Sequence, residues 1–251
     1  MKTDQTPSNA LKKIATGALL ALVCGLFGCA TGPNADPRDP LEPLNRSVSR
    51  LNESVDNAVF KPVAQGYRNV VPRLVRVGVS NFFDNMQDAW SFVNGVLQLR
   101  PGIAADNYMR VAINTFFGFG GVLDIASELG IERHSEDFGQ TLGRWGVPAG
   151  PYVVLPLLGP STLRDAAAIQ VDARGDTVRS VKDVPLRNSL YALRIVDLRA
   201  GFLRAGDLLD QAALDKYSFT RDVFLQRRRA EVYTDKPDAD KPEADRDSPA
   251  K

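Results

Sequence analysis

The sequence predicts an all-α fold, and three features carry the prediction. Apolar residues recur every three or four positions, as at Leu41, Leu44, Val48, Leu51, Val55 and Val59, which gathers them on one face of a helix. Sustained alternation of apolar and polar residues, the mark of a half-buried strand, is absent, as is any internal repeat. Two consecutive stretches near the middle carry a narrow polar stripe on an otherwise apolar helix. A chain of 251 residues can bury a substantial core in one domain.

At the N-terminus, Lys2, Lys12 and Lys13 precede an apolar run from Ile14 to Phe27, long enough for a signal-peptide core and short of the ~20 residues a membrane-spanning helix needs. The run ends in Leu26, Phe27, Gly28 and Cys29, which resembles the lipobox of bacterial lipoproteins. That resemblance implies that residues 1–28 are removed and that Cys29 carries the lipid. Ala30 in place of an aspartate favours the outer membrane. Both cysteines, Cys24 and Cys29, lie here, so the processed chain is expected to hold together without a disulfide. Residues 29–38 are small, polar and proline-containing, a lipidated flexible tether. Residues 234–251 combine charge with repeated proline and little to bury, and are expected to be disordered. The helical domain is therefore 39–233. Its charge is nearly balanced, 31 Lys and Arg against 30 Asp and Glu in the whole chain, so nucleic acid is not an expected partner.

Within the domain, Asp39, Pro40 and Glu42 have the spacing of a helix start, and Pro62 is expected to stop or bend that helix. From Gln87 to Leu99, the polar residues Gln87, Ser91, Asn94 and Gln98 form a stripe among Trp90, Phe92, Val93, Val96 and Leu97. After Pro101 and Gly102 the pattern repeats, with Asp106, Arg110 and Asn114 among Ile103, Tyr108, Met109, Val111 and Ile113. Such a stripe suits either the lining of a water-accessible passage in an apolar surround or a soluble hairpin with its stripes facing solvent. The second helix is expected to end near Phe117 in "TFFGFGGVLD", where Phe116, Phe117 and Phe119 are interleaved with glycines. These are core residues of a tight turn or contacts with a membrane, and Asp124 can cap the next segment.

From Phe138 to Asp165, Gly and Pro forbid a regular helix until Ser161 or Thr162 can cap one. This loop nevertheless carries Trp145, Tyr152, Val153, Val154, Leu155, Leu157 and Leu158. At ~1.5–3 kcal/mol per large side chain left in water, it must fold into the core or sit against a membrane or partner. A further amphipathic helix runs from about Leu186 to Leu203, capped by Asp183. Arg227, Arg228 and Arg229 read as a solvated helix end.

Chemistry is sparse. The single histidine, His134, has no G-x-S-x-G elbow to work with, and zinc lacks a ligand cluster. Leu123 stands where a dinucleotide loop needs its third glycine. Glu136 and Asp137 read as solvated. Neither catalytic residues nor a cofactor nor a metal is implied.

Four ordered blocks resemble the MlaA family, also called VacJ lipoproteins: "DPLEPLNR" (39–46), "GVSNFFDNMQDAWSFVNGVLQ" (78–98), "RVAINTFFGFGGVLDIA" (110–126) and "FGQTLGRWGVPAGPYVVLPLLGPSTLRD" (138–165). The resemblance implies a single ring-shaped bundle of amphipathic helices with a central amphipathic channel, lying in the inner leaflet of the outer membrane. It implies no enzyme activity, and instead removal of stray phospholipid from the outer leaflet and its passage to a periplasmic lipid-binding protein linked to an inner-membrane ABC transporter. A trimeric porin is the further partner it implies. On this reading Asn94, Gln98, Asp106, Arg110 and Asn114 line the channel. Phe116, Phe117, Phe119, Trp145, Tyr152 and Leu155 contact the membrane. A structural lipoprotein supporting a porin, and a lipid hydrolase built on His134, are the competing readings.

Overall fold

The computed structural model describes residues 36–233. The signal segment, Cys29, most of the tether and the charged tail lie outside the described residues. Helix α1 (Glu42–Val55) passes through a π-helical turn (Asp56–Phe60) into α2 (Lys61–Val70). Pro62 therefore sits in the first turn of α2, and the helical path continues through it. Proline has no N–H to donate, and the wider turn, in which the Lys61 N–H reaches Asp56 O, accommodates it. Asp39 does not cap α1: Leu41 holds that position without a side-chain bond. The Asp39 carboxylate is buried and accepts hydrogen bonds from Asn45 and Tyr217.

Two long helices form the centre, α3 (Arg73–Leu97) and α4 (Pro101–Phe116), joined by a tight turn in which Leu99 has a φ of 56°. After the glycine corner come α5 (Ile125–Glu128) and α6 (Phe138–Arg144), capped by the carboxylates of Asp124 and Asp137. The stretch expected to be irregular holds, beside α6, an antiparallel hairpin of β1 (Tyr152–Leu155) and β2 (Gly159–Thr162), with Tyr152 opposite Thr162 and Leu155 opposite Gly159. Leu157 and Gly159, both at positive φ, make its turn. Thr162 then caps α7 (Leu163–Gly175) through the Asp165 N–H. A 3-10 turn (Thr177–Ser180) leads to α8 (Val184–Ala212), capped by Asp183, and finally to α9 (Lys216–Tyr233).

A two-stranded hairpin is marginal alone, and α1 anchors this one. Asn45 Nδ2 donates to Tyr152 O at 3.0 Å, and Asn45 Oδ1 accepts from the Val154 N–H at 2.8 Å. Two turns further along α1, Asn52 makes the same pair of contacts with Leu155 O at 2.9 Å and the Leu157 N–H at 2.8 Å. Tyr152 consequently lies in a small core with Val154 and Tyr217 and is 1% exposed.

The distribution of polarity runs opposite to that of a soluble bundle. The buried residues of α3 are Gly78, Phe83, Asn85, Asp88, Ser91, Asn94 and Gly95, and those of α4 are Ala104, Asn107, Arg110 and Asn114. Exposed instead are Val93, Val96, Tyr108, Met109 and Phe116 on these helices, Leu51 on α1, and Ile195, Leu198 and Phe202 on α8. Among the described residues no helix is long and apolar enough to cross a membrane.

Candidate functional site

An open cavity of about 710 Å³ lies within the size range of small-molecule sites. Its walls are α1, the hairpin, the C-terminal half of α8 and the start of α9. Ion pairs fasten those walls together. Arg199 forks onto both oxygens of Asp56 at 2.6 and 2.7 Å, Arg46 meets Asp215 at 2.7 Å, and Lys216 meets Glu53 at 2.8 Å. Hydrogen bonds from Arg46 and Ser218 hold the Asp215 carboxyl well below the usual range. Tyr152, Val154, Phe202 and Leu209 supply apolar wall, and the Arg46 guanidinium lies over the Tyr217 ring at 4.4 Å from its centre.

Arg50 differs from these cations. Among the described residues it has no carboxylate partner and donates only to Ser47 Oγ, at 3.1 Å. The cavity thus combines apolar wall, neutralised charge and one open guanidinium, which suits a ligand with an apolar part and an anionic part. Sequence reasoning placed the apolar face of α1 but passed over its opposite face. Arg46, then Ser49 with Arg50, then Glu53 and Asp56 return there at helical spacing, and that spacing was the available signal.

The polar stripes are brought together, but not onto this cavity. Asn94, Gln98, Arg110 and Asn114 are each enclosed by protein. Asn94 Oδ1 accepts from Thr141 Oγ1 at 2.8 Å, while Gln98 Nε2 donates to Glu136 and Thr141 at 3.0 and 3.1 Å. Arg110 meets buried Asp88 through Nε at 3.0 Å, and Ser127 and Ile131 O through Nη1. Asn114 bridges Asp124 and the Ala126 N–H, both at 2.9 Å. Asp106 is half-buried against His134 Nε2 at 3.2 Å. For Asn94, Gln98, Arg110 and Asn114 the expectation of facing a water-accessible passage is therefore corrected: a buried polar group needs a partner, and α5, α6 and the loop between them supply one for each, whereas Asp106 keeps part of its side chain open. Glu136, expected to be solvated, belongs to the same network. Burial raises its carboxyl above the usual range against the opposing pull of Gln98 and Arg100.

The sequence model of the MlaA lipoprotein family matches residues 37–231. The chain belongs to the MlaA lipoprotein family. The intermembrane phospholipid transport system lipoprotein MlaA of Haemophilus influenzae is 34% identical over 238 residues, spanning 88% of this chain and 90% of its own. The protein of the same name from Escherichia coli K12 is 36% identical over 218 residues, spanning 83% of this chain and 86% of its own. A solved structure from work on the structural basis for maintenance of bacterial outer membrane lipid asymmetry matches with a TM-score of 0.68 and 32% identity. It covers 77% of this chain and 98% of its own. The mostly helical architecture is thus that of the MlaA family, and the chain is an envelope lipoprotein by family.

In this MlaA-family chain the end of α4 and the segment after it project their aromatic residues outward. Phe116 is 82% exposed and Phe119 81%, with Phe117, Val122 and Leu123 beside them. Gly118 and Gly121 fit the corner tightly: a Cβ on Gly118 would strike the carbonyl oxygens of Leu123 and Asn114, and Gly121 combines a φ of 94° with contact to Asn85. Trp145 is also exposed, although its indole N–H donates to Leu97 O at 3.0 Å. Two residues expected in this outward set depart from it. Tyr152 is buried under α9 and Leu155 is half-buried against α1, while Leu157 and Leu158 at the hairpin tip are exposed in their place. Among the described residues no group of three or more His, Cys, Asp or Glu is arranged to hold a metal.

Proposed function

We propose that this chain is an outer-membrane lipoprotein, anchored through Cys29, that takes mislocalised phospholipid from the outer leaflet and hands it to a periplasmic lipid carrier, maintaining lipid asymmetry. The observation that carries the reading is the reversed polarity. Polar groups point inward, and Asn94, Gln98, Arg110 and Asn114 among them are bonded to protein, while large apolar side chains cover the outer faces of α3, α4 and α8. In water that outer surface has an unfavourable free energy, whereas in an acyl-chain environment it has none. The relatives named for intermembrane phospholipid transport and the neighbour from lipid-asymmetry work support the same reading.

In this proposal the passage is the cavity between α1, the hairpin, α8 and α9, with Arg50 facing the headgroup and Phe202 and Leu209 facing acyl chains. Asn94, Gln98, Arg110 and Asn114 lie outside it and fasten α3 and α4 to α5, α6 and the loop between them. Phe116, Phe117, Phe119 and Trp145 are the membrane contacts. No bond is made or broken, no cofactor takes part, and a trimeric porin and the carrier of an inner-membrane ABC transporter are the protein partners.

The test places bulk in the cavity without touching its ion pairs. Ala205 lines it and is exposed to it. The Ala205→Trp chain is expected to fold and to co-purify with porin, yet to leave phospholipid in the outer leaflet at the level of a deletion strain. Normal outer-leaflet phospholipid in that strain would remove the passage reading and leave the scaffold.

A further inference from the structure

A second cavity, of about 520 Å³, lies between the end of α2, the start of α3 and the middle of α8. Three arginines line it: Arg68, Arg73 and Arg76. The carboxylate in its lining, Asp197, is already engaged, accepting from Tyr67 Oη at 3.0 Å and from Ser80 Oγ at 2.7 Å. Among the described residues no carboxylate lies within ion-pair distance of the three arginines. Arg76 uses one donor, Nε, on Val71 O at 3.1 Å. Of the arginines lining the other cavities, Arg46 is paired with Asp215, Arg199 with Asp56 and Arg194 with Asp176, and Arg50 stands open as a single cation. This cleft therefore gathers forked cationic donors in excess of the one carboxylate present, the arrangement that suits a phosphate.

The surroundings of the cleft identify the source of that phosphate. Val70 and Leu74, on either side of the α2–α3 corner, are 82% and 86% exposed. Asn81 lines the cleft and donates to Val122 O at 3.0 Å, which joins this site to the aromatic corner that begins at Phe116. Cations bordered by exposed aliphatic and aromatic side chains match the boundary between acyl chains and headgroups. A freely dissolved anion has no use for the apolar border, and an acidic protein segment would leave it in water.

We propose that Arg68, Arg73 and Arg76 form a binding site for the phosphate of an anionic phospholipid at the membrane boundary, separate from the passage. The proposal rests on membrane contact by the neighbouring aromatic corner. The site holds the chain at a fixed depth in the leaflet and favours anionic over zwitterionic lipid.

The full chain, purified in a non-ionic detergent, is titrated with phosphatidylglycerol, with phosphatidylcholine of the same acyl chains and with inorganic phosphate, and bound lipid is counted by native mass spectrometry. Arg68→Gln/Arg73→Gln removes two exposed, unpaired charges and is expected to unfold at the same temperature as the parent. The parent is expected to prefer phosphatidylglycerol about tenfold, the double variant to lose that preference, and Arg227→Gln, on α9 outside the cleft, to keep it. Equal preference in parent and double variant would overturn the site. So would saturation by inorganic phosphate as tight as by lipid, which assigns the cleft to a soluble anion, or loss of a co-purifying acidic protein as the double variant's sole change. Each of these results leaves the passage standing, because only Ala205→Trp reports on it.

Discussion

Arg110 and Asp124 share a two-point contact, with guanidinium Nη2 donating to both carboxylate oxygens at 3.0 Å. The same guanidinium reaches Asp88, which is fully buried and also receives Arg133 Nε at 2.8 Å. One side chain of α4 therefore ties α3, α4 and the cap of α5 together. Replacing it by leucine leaves Asp88 with one partner and strips Asp124 of its fork. Removing one member of a buried pair costs about 3–5 kcal/mol, and Arg110→Leu is expected to lower the denaturant midpoint accordingly. Arg110→Lys, which keeps charge but not the fork, is expected to lie between it and the parent. Both variants act on folding, so neither separates a passage from a scaffold.

Acid is expected to loosen the same corner. Burial pushes the Asp124 carboxyl up, but hydrogen bonds from Ser127, Asn114 and Arg110 outweigh it and hold it at about 2, against an ordinary 3.8. A carboxyl held low in the folded state contributes stability that is complete above its ordinary value and lost as pH falls toward its folded one. Urea midpoints are expected to show no Asp124 contribution to pH dependence from 7 to 5, and a loss from about 4 down to 2. Asn114→Ala should shrink that loss, because one of the groups favouring the charged form is gone. A midpoint difference between parent and variant that does not change over this window would show that Asp124 is not its source.

The hairpin that walls the cavity depends on two asparagines. Asn45 is buried and satisfies Tyr152 O, the Val154 N–H and Asp39, whereas the contacts of Asn52 are less buried. An unsatisfied buried group costs about 1–3 kcal/mol. Asn45→Ala is expected to cost about 3 kcal/mol and Asn52→Ala about 1 kcal/mol. Hydrogen exchange at Val154 and Leu157 should accelerate selectively, in the first variant and the second respectively.

How much of this was legible in the sequence depends on the range of each interaction. Asp183, Thr162 and Asp124 each bond a backbone N–H three residues on, so local spacing revealed those caps. Periodicity also found the stripe through Asn94, Gln98, Arg110 and Asn114. It could not say which side the stripe faces, because a helical pattern defines two faces without naming the solvent. The hairpin was hidden because its strands are short and bounded by Pro and Gly, and because its anchors lie about a hundred residues away on α1. Arg228, read as solvated, is drawn inward by Asp137 and Asp165 at 2.6 and 2.8 Å, partners that only the fold brings near.

Phe119 offers the sharpest separation of fold from membrane. It sits at a φ of 53°, the left-handed region, with its ring 81% exposed. That backbone costs a non-glycine residue about 1–2 kcal/mol, and nothing in the fold repays it, since the ring has almost no protein around it. Phe119→Gly is expected to raise the stability of the purified chain, by about 0.5–1 kcal/mol after the extra freedom of glycine in the unfolded state is allowed for. Membrane affinity should move the other way. Burial of one phenylalanine is worth about 1.5–3 kcal/mol, so partition of the Cys29→Ser chain into phospholipid vesicles is expected to fall about tenfold or more. A variant that is less stable and partitions as well as the parent would show that the ring packs within the protein. A variant that is more stable and releases from vesicles would place Phe119 in the acyl chains.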